Sequence, residues 1–535
     1  MTQTLIAPPR FEFNPESGVL FFPSRKVSNG IVSEPMEILY TTDGQKRRIR
    51  LNDWREGGKA DSLKNSQIYQ LNRMDDGLMV HLFTWPDQGC WKLKITNLRN
   101  QPIQIERLEM LKNGRIRDKG IKVDADFCFF ENGWQSWSYS AAYGAEHQAK
   151  RTGFDWLYPG MWAANGTPTP RQTGLFAGDF FGVLIDRNQQ SGWVAGFLAQ
   201  REQFGTIAAD LRGLPVLNLW ANFDEVVLPP AGSLETDRAV VLETCLQSDR
   251  NDNDPLEEYV RMVAQENQAR VPKAVPAGWC SWYHFFQKVS AEDIRRNIRT
   301  TLNHRSQWPL DLVQIDDGYE TAVGDWEHFN GRFPEGLVGL ASEIKCADLM
   351  AGIWLAPFIF QPQSVIAQQH PDWMIQGKNG RPRFAGFNWN SRTVALDLTH
   401  PEAQVWLRQT IQRAVKEWGF SYLKLDFLYA GGLSGKRLDP TRTNAQALNF
   451  GLKVIREEAG EDVFLLGCGC PLGPGVGVFD AMRISADTAP TWGNHYFGMS
   501  FPFLAEPHAP SAEIALHNVL TRANTKAPSK PTLPS

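Results

Sequence analysis

Short apolar strands alternate with helical patterns through the second half of this chain, and this alternation restricts the fold more than any other feature. Repeated strand–helix units build a parallel sheet, either an open doubly wound sheet or a closed barrel. Helices are predicted at AEDIRRNIRTTL, PEAQVWLRQTIQRAVKEWG and NAQALNFGLKVIREEAG, and the last two end at glycine. The predicted strands are GWCSW (from 278), LDLVQIDD (310), MAGIWLAPF (350), TVALDL (393), SYLKLDF (421), DVFLLGCG (462) and AMRISAD (481).

The ends of these strands carry acidic residues rather than a glycine-rich phosphate loop. Dinucleotide binding is therefore poorly supported. In a barrel the carboxyl ends of the strands meet at one face, where the loops build the active site. We expect catalytic carboxylates or metal ligands among the acids at these ends, which are Asp316, Asp317, Asp397, Asp426 and Asp487.

Two of these acids are candidates for a catalytic pair. Lys424 and Asp426 share one face of a strand. The two residues form a structural ion pair, or Asp426 is a nucleophile that Lys424 keeps ionised. Asp487 follows Arg483 by four residues and is either a cap before Thr488 or the second carboxylate. Retaining glycosidases require a nucleophile and a protonated acid about 5 to 5.5 Å apart.

Asp316 and Asp317 are adjacent, and at a strand end both can accept hydrogen bonds from sugar hydroxyls. A metal site is the competing interpretation. Cys468 and Cys470 are the only closely spaced cysteines, and no second Cys or His pair stands at ligand spacing. We predict neither metal nor cofactor. Asp397 precedes Thr399, so a loop or helix-start role is as well supported as a site role.

The first half of the chain, from residue 10 to about 245, has short β-branched and aromatic segments between turn residues. Examples are GLMVHLFTW, CWKLKITNL, SGWVAGFLAQ and RAVVLETC. This spacing predicts a large sandwich. The polar run SDRNDNDP (248–255) marks a boundary, and a helix with Pro255 at its first position is predicted after it.

Composition excludes several classes of partner. The 535 residues carry a net charge of −4 without basic runs, so we expect neither nucleic acid nor membrane as a partner. Seven cysteines are few and odd in number, which favours a reducing compartment over a disulfide framework. The N-terminus lacks a signal-peptide pattern, and we therefore expect a cytoplasmic protein. The 19 tryptophans either fill the core or stack on sugar rings.

Six strings, in order over about residues 278–523, resemble the catalytic domain of the glycoside hydrolase family 36 α-galactosidases, which share a clan with family 27. They are GWCSWYHFF (278–286), QIDDGYE (314–320), GIWLAPF (352–358), YLKLDFLYAGG (422–432), LGCGCPLGP (466–474) and MRISADTAPTW (482–492). The strings NGWQSWSYS (132–140) and DFFGVLID (179–186) are compatible with the N-terminal domain of that family.

The resemblance implies a multidomain β plus α/β fold. An N-terminal β-supersandwich (1–250) is followed by a linker with a helix (251–277), a (β/α)₈ TIM-type barrel (278–523) and a disordered tail (524–535). The family continues into an eighth barrel strand and a C-terminal β domain. The twelve residues after 523 contain three prolines and no apolar run, so we expect strand eight to be absent. The resulting open sheet edges favour self-association.

The resemblance also implies roles for individual residues. Asp426 matches the nucleophile and Asp487 the acid/base of a retaining exo-α-galactosidase that acts on substrates such as melibiose or raffinose. Asp316 and Asp317 match the acids that bind the galactose 4- and 6-hydroxyls. Trp282 and Trp354 match ring-packing aromatics, and further subsite contacts fall to Tyr283, Lys424, Cys468 and Arg483.

Three alternatives remain open at this point. One is an α-N-acetylgalactosaminidase, and another is a galactosyltransferase of the raffinose-synthase kind. The third is an inactive galactoside-binding relic whose barrel does not close.

Overall fold

The computed structural model describes residues 10–24, 30–59, 66–73, 76–116, 126–151, 157, 160, 162–245, 256–496, 499–501 and 510–522. The predicted tail, 524–535, and the whole of the predicted boundary run, 248–255, lie outside these residues. The strands of the first half are β1 (Glu12–Asn14), β2 (Val19–Phe22), β3 (Ile31–Glu34), β4 (Glu37–Thr42), β5 (Gln45–Arg50), β6 (Arg55–Gly58), β7 (Gln67–Arg73), β8 (Leu78–Trp85), β9 (Cys90–Asn97), β10 (Ile103–Ile116), β11 (Phe127–Glu131), β12 (Ala141–Gly144), β13 (Leu175–Asp179), β14 (Phe181–Asp186), β15 (Ser191–Phe197), β16 (Phe204–Asp210), β17 (Val216–Leu228), β18 (Ser233–Glu235) and β19 (Ala239–Cys245).

These strands form two antiparallel sheets, which we call the β-domain. One sheet has the order β1-β2-β3-β10-β17-β16-β13, with β4 on β10 and β5 on β4. The other has the order β12-β11-β14-β15-β19-β9-β8-β7-β6, with β18 on β9. In β8 and β9 buried residues alternate with partly exposed ones, as a strand with one face on a core requires. Both sheets contribute to one hydrophobic core, so the predicted β-rich first half is confirmed.

The second half contains the remaining elements. They are α1 (Glu257–Asn267), β20 (Gly278–Cys280), α2 (Trp282–Phe285), α3 (Ala291–Asn303), β21 (Leu312–Ile315), α4 (Val338–Cys346), β22 (Met350–Leu355), β23 (Ile359–Phe360), α5 (Val365–Gln369), β24 (Phe384–Asn388), β25 (Ser391–Ala395), α6 (Pro401–Gln412), β26 (Tyr422–Leu425), α7 (Asn444–Ala459), β27 (Phe464–Gly467), α8 (Leu472–Gly475), β28 (Ala481–Met482), β29 (Asn494–Tyr496), β30 (Met499–Phe501) and α9 (Ala512–Thr521).

Six of these strands form a parallel sheet with the order β20-β21-β22-β26-β27-β28. Helices α3, α4, α6 and α7 connect successive strands, as the alternating pattern predicts. Capping boxes fix the starts of two of them: Ser290 with Asp293 begins α3, and Thr443 with Gln446 begins α7. In the described residues the sheet has two ends, β20 and β28.

The prediction of a seventh parallel strand at 393 is wrong. Strand β25 pairs antiparallel with β24 and β23, and β22 pairs directly with β26. The reason is the turn between β24 and β25, where Trp389 and Asn390 have φ values of 51° and 54°. Two consecutive left-handed residues are typical of the two-residue hairpin turn that matches strand twist. The apolar pattern of β25 suits a parallel strand equally well, and this turn decides between the two.

Helix α1, predicted within a linker, packs against the β-domain. Tyr259 and Val263 are buried in the core of that domain, and the Tyr259 hydroxyl donates to the Phe197 carbonyl at 2.7 Å. The two halves of the chain also meet at α7. Thr443 Oγ1 donates to the Glu202 carbonyl at 2.6 Å, and Asn449 Nδ2 donates to the Gln200 carbonyl at 2.8 Å.

Arg522, just after α9, binds the end of the described chain to the β-domain through hydrogen bonds. Its guanidinium is fully buried and donates to the carbonyls of Ser136 and Ser138, each at 2.9 Å, and to Ser140 Oγ at 2.8 Å. It also reaches the carbonyl of Ile484 at 3.4 Å. Burial lowers the pKa of Arg522 to about 9. One side chain therefore joins three separate segments of the chain.

We expect Arg522→Met to destabilise the protein by about 3 kcal/mol, because buried carbonyls lose their donors. Thermal melting followed by circular dichroism measures this loss as a lower midpoint. Arg299→Met is the control, because Arg299 lies on the exposed face of α3, paired with Glu292 at 2.7 Å. Equal midpoints for the two variants would contradict a structural role for Arg522.

Candidate active site

The carboxyl ends of β21 and β26 place three carboxylates at one edge of the parallel sheet. Asp316 and Asp317 directly follow β21, and Asp426 directly follows β26. All three side chains are buried. Asp487 lies in the segment after β28. It is close enough to Asp426 and Lys424 to interact with their charges. Four of the five acids predicted at strand ends therefore come together.

The fifth, Asp397, has a structural role. It follows β25 of the antiparallel sheet, so its predicted position at a parallel strand end is wrong. Its carboxylate accepts hydrogen bonds from Thr399 Oγ1 at 2.8 Å and from the Leu438 backbone at 2.7 Å. Buried Arg437 lies 3.4 Å away. Asp397 thus fixes the loop that precedes α7.

Lys424, on β26, is buried between two of the site carboxylates. Its Nζ lies 2.9 Å from Asp316 Oδ2 and 3.9 Å from Asp426 Oδ2, so Asp316 is the closer partner. Burial acts to lower the pKa of Lys424, but the two carboxylates raise the pKa well above its usual range. Lys424 therefore stays charged and balances both acids rather than Asp426 alone.

Asp426 is held by two N–H donors. Trp354 Nε1 donates to Oδ2 and the Phe427 backbone donates to Oδ1, each at 3.0 Å. Phe427 adopts a left-handed φ of 54°, a strained conformation for a bulky residue of the kind that clusters at functional sites. Burial raises the pKa of Asp426, although Lys424, Arg483 and the Trp354 hydrogen bond act against this rise.

Asp487 is surrounded by donors. Arg483 Nη1 donates to its Oδ1 at 2.7 Å, Trp282 Nε1 donates to Oδ2 at 3.0 Å, and the Tyr283 hydroxyl lies 3.4 Å from Oδ1. Burial acts to raise the pKa of Asp487, but Arg483 and Lys424 outweigh burial and hold this pKa below its usual range. In this arrangement Asp487 is ionised. Trp282, Tyr283 and Arg483, which the resemblance assigns to sugar contacts, therefore all contact Asp487.

Asp317 has partners that sequence reasoning missed. Trp389 Nε1 donates to Asp317 Oδ2 at 2.7 Å, and Gln287 Nε2 donates to the same oxygen at 3.1 Å. The Glu320 carboxyl interacts electrostatically with Asp317. Burial, and then the charge of Asp317, raise the pKa of Glu320 well above its usual range, so Glu320 is the protonated member of the pair. Glu320 lies in the string QIDDGYE, only three residues after Asp317. This short spacing in the sequence could have indicated that Glu320 belongs to the site.

Aromatic rings line the same edge. The ring centroids of Trp354 and Trp389 are 6.2 Å apart, and those of Trp389 and Phe427 are 4.9 Å apart. Trp137 of the β-domain extends this wall, with its ring 5.0 Å from Phe427 and 5.7 Å from the Arg483 guanidinium. The string NGWQSWSYS, interpreted from sequence only as part of the β-domain, therefore also borders the site.

The turn after β27 completes the surroundings. Cys468 is buried, and the charge of Asp426 adds to burial in raising the pKa of its thiol to about 12. The Ser136 backbone donates to the Cys470 carbonyl at 2.9 Å, which attaches this turn to the β-domain. All seven cysteines are free thiols.

Among the residues that the structure describes, no group of three or more His, Cys, Asp or Glu side chains is arranged to hold a metal ion. No helix in the described part of the chain combines the length and apolar character needed to cross a bilayer.

The arrangement suits chemistry on a polyhydroxylated ring. Asp316 and Asp317 offer buried acceptors for hydroxyl groups, and the indole rings offer flat apolar faces. Asp426 and Asp487 are two further carboxylates with separate donor sets, as acid–base or nucleophilic catalysis requires.

Comparisons with known proteins find α-galactosidases among both the curated relatives and the solved structures. The family model described as Melibiase matches residues 297–455. The chain is 25% identical over 342 residues to the α-galactosidase AgaA of Geobacillus stearothermophilus, covering 57% of this chain and 44% of that protein. It is 30% identical over 148 residues to α-galactosidase 2 of Hypocrea jecorina, covering 24% of this chain and 19% of that protein. The chain thus spans less than half the length of these curated relatives.

Solved structures match over more of the chain. TtGalA, an α-galactosidase from Thermus thermophilus in complex with p-nitrophenyl α-D-galactopyranoside, aligns with a TM-score of 0.61 at 25% identity, covering 88% of this chain and 82% of that one. The family 36 α-galactosidase AgaA from Geobacillus stearothermophilus aligns with a TM-score of 0.57 at 17% identity, covering 84% and 64%. Because AgaA is only 17% identical to this chain, its structural similarity shows a shared fold and nothing more.

Proposed function

We propose that this chain, a relative of the glycoside hydrolase family 36 α-galactosidases, hydrolyses terminal α-galactosides with retention of configuration. The observation that carries the proposal is the convergence of Asp426 and Asp487 beside two hydroxyl acceptors. Each member of the pair accepts an indole N–H, from Trp354 and Trp282 respectively. The proposed substrates are small oligosaccharides such as melibiose or raffinose.

The proposed mechanism is double displacement. Asp426 attacks the anomeric carbon while protonated Asp487 donates its proton to the departing oxygen, and the glycosidic bond breaks as the galactosyl ester forms. Ionised Asp487 then takes a proton from water, whose oxygen attacks the same carbon and releases Asp426. Trp354 and the Phe427 backbone stabilise Asp426 as nucleophile and as leaving group, since both donate to its oxygens. Asp316 and Asp317 hold the ring hydroxyls.

The proposal extends to architecture and location. We assign residues 1–250 to a β-supersandwich, 251–277 to a linker with a helix, and 278–523 to a TIM-type barrel. The six parallel strands with their connecting helices support the barrel assignment. We further propose a cytoplasmic enzyme, supported by seven free thiols.

The test is hydrolysis of a nitrophenyl α-galactoside followed by NMR, and we expect the α anomer of galactose as the first product. The β anomer would overturn retention. Faster cleavage of the matching nitrophenyl α-N-acetylgalactosaminide would identify the protein as an α-N-acetylgalactosaminidase instead. Binding of galactose by calorimetry without any turnover would instead indicate a binding relic.

Arg483 offers a pH-dependent prediction, because it holds Asp487 ionised whereas the first step needs Asp487 protonated. Removing this cation raises the pKa of Asp487, so Asp487 keeps its proton to higher pH. We expect Arg483→Met to move the optimum of kcat/KM to higher pH. The pH–rate profiles of both proteins measure this shift. A lower rate with an unchanged optimum would mean that Arg483 only supports the fold or the substrate.

A further inference from the structure

A second cleft, with a volume of 1310 Å³, lies away from the carboxylate site. One wall is formed by β10 and β17 of the β-domain. The other wall is formed by residues 376–384, by β25 and by the loop 434–442. Asp316, Asp317, Asp426 and Asp487 do not line it. The cleft therefore needs an explanation separate from the proposed hydrolysis.

Positive charge dominates this cleft, with eight cationic and four acidic side chains along its walls. In the described part of the chain, five of the cations have neither an ion pair nor a side-chain hydrogen bond with a protein group. These are Lys378, Arg381, Arg383, Arg392 and Lys436, and they lie on adjacent segments of one wall.

The acids do not pair with these five cations, and three of the four contact other groups instead. Glu106 pairs with Lys46 at 2.7 Å, outside the cleft lining. Asp439 accepts a hydrogen bond from Thr441 Oγ1 at 2.6 Å and pairs with Arg442 at 3.4 Å. Asp224 accepts the Asn444 backbone N–H at 3.0 Å. The excess of positive charge thus stays uncompensated.

Buried donors in the cleft also lack acceptors. Within the described residues, Arg383 Nε and Arg107 Nε are shielded from solvent and have no hydrogen-bond partner. Unsatisfied buried donors are costly and rare in folded proteins. Because both atoms are donors, the missing partner is an acceptor.

We propose that this cleft binds an anion that carries two or more phosphate or carboxylate groups. Both groups supply the acceptor oxygens that Arg383 Nε and Arg107 Nε lack, and both match the planar fork of arginine. More than one charged group is required because the cations come from the loop 376–383, from β25 and from the loop 434–442. Phosphorylated sugars and acidic oligosaccharides share this chemistry.

Isothermal titration calorimetry of the full chain at low ionic strength tests the proposal with two probes, tripolyphosphate and trigalacturonate. We expect saturable binding of at least one probe, and the tighter probe identifies the phosphate or the carboxylate source. Arg383→Gln is expected to weaken binding at least about tenfold, because a charge-assisted hydrogen bond is lost. Arg299→Gln, on the exposed face of α3, is the matched control and keeps the wild-type affinity.

Lys378→Gln provides a second variant, because Lys378 is exposed on its loop and its replacement leaves the fold intact. We expect it to weaken binding about threefold, as loss of one exposed charge does. Absence of saturable binding of both probes would overturn the proposal, as would equal affinities of the cleft variants and Arg299→Gln. Because binding is measured directly, neither outcome bears on the proposed hydrolysis.

Discussion

Asp426→Gly is expected to reduce turnover of an α-galactoside by about 10⁴-fold or more, because the galactosyl ester can no longer form. Loss of the Asp426 carboxylate leaves room for a small anion on the side of the anomeric carbon that Asp426 attacks. Added azide is therefore expected to restore bond cleavage and to release β-galactosyl azide by a single displacement. NMR of the product and the rate with and without azide measure both effects.

The control for this variant is its fold. Glycine at 426 removes the acceptor of the Trp354 indole N–H, so the melting midpoint is measured beside the rate. A folded variant with full activity would exclude Asp426 as the nucleophile. Restored activity that releases α-galactosyl azide would also contradict the assignment.

Asp487→Ala is expected to reduce hydrolysis of melibiose by about 10³-fold, because the departing sugar oxygen then leaves without a proton. A nitrophenyl leaving group needs little protonation, so its first step is expected to slow much less. Azide then attacks the accumulated galactosyl ester and is expected to give α-galactosyl azide. Rates with both substrates and product NMR measure these effects.

The two variants check each other through the configuration of the azide product. Opposite anomers from Asp426→Gly and Asp487→Ala match the two roles, whereas the same anomer from both variants would contradict them. Equal losses for melibiose and the nitrophenyl substrate would show that Asp487 is not the acid.

Local signals predicted much of the parallel sheet and part of the site. The helices predicted at AEDIRRNIRTTL and NAQALNFGLKVIREEAG are α3 and α7, and Asp316 and Asp426 directly follow strands as their sequence pattern indicates. Lys424 and Asp426 share a face because alternation along a strand is a local rule. These features depend on neighbouring residues only, so a single sequence contains them.

Other features depend on contacts between distant segments. Trp389 reaches Asp317 because two left-handed residues close a hairpin, and Trp-Asn is not the usual signature of such a turn. Trp137 borders the site from the other half of the chain. The stronger pairing of Lys424 with Asp316 follows from how β21 and β26 are spaced across β22. None of these contacts leaves a periodic pattern in the sequence.

The position of Arg522 near the end of the described chain affects the order in which parts of the site become fixed during synthesis. Its partners Ser136 and Ile484 lie 386 and 38 residues earlier, so the contact that joins them waits for nearly the whole described chain. Asp316, Asp317 and Asp426 leave the ribosome well before it. Ile484, three residues from Asp487, gains its contact with Arg522 only after α9 has been synthesised. Under the proposed function, the contact that fixes the segment of the proposed acid/base therefore forms after the residues proposed to bind the sugar hydroxyls have been synthesised.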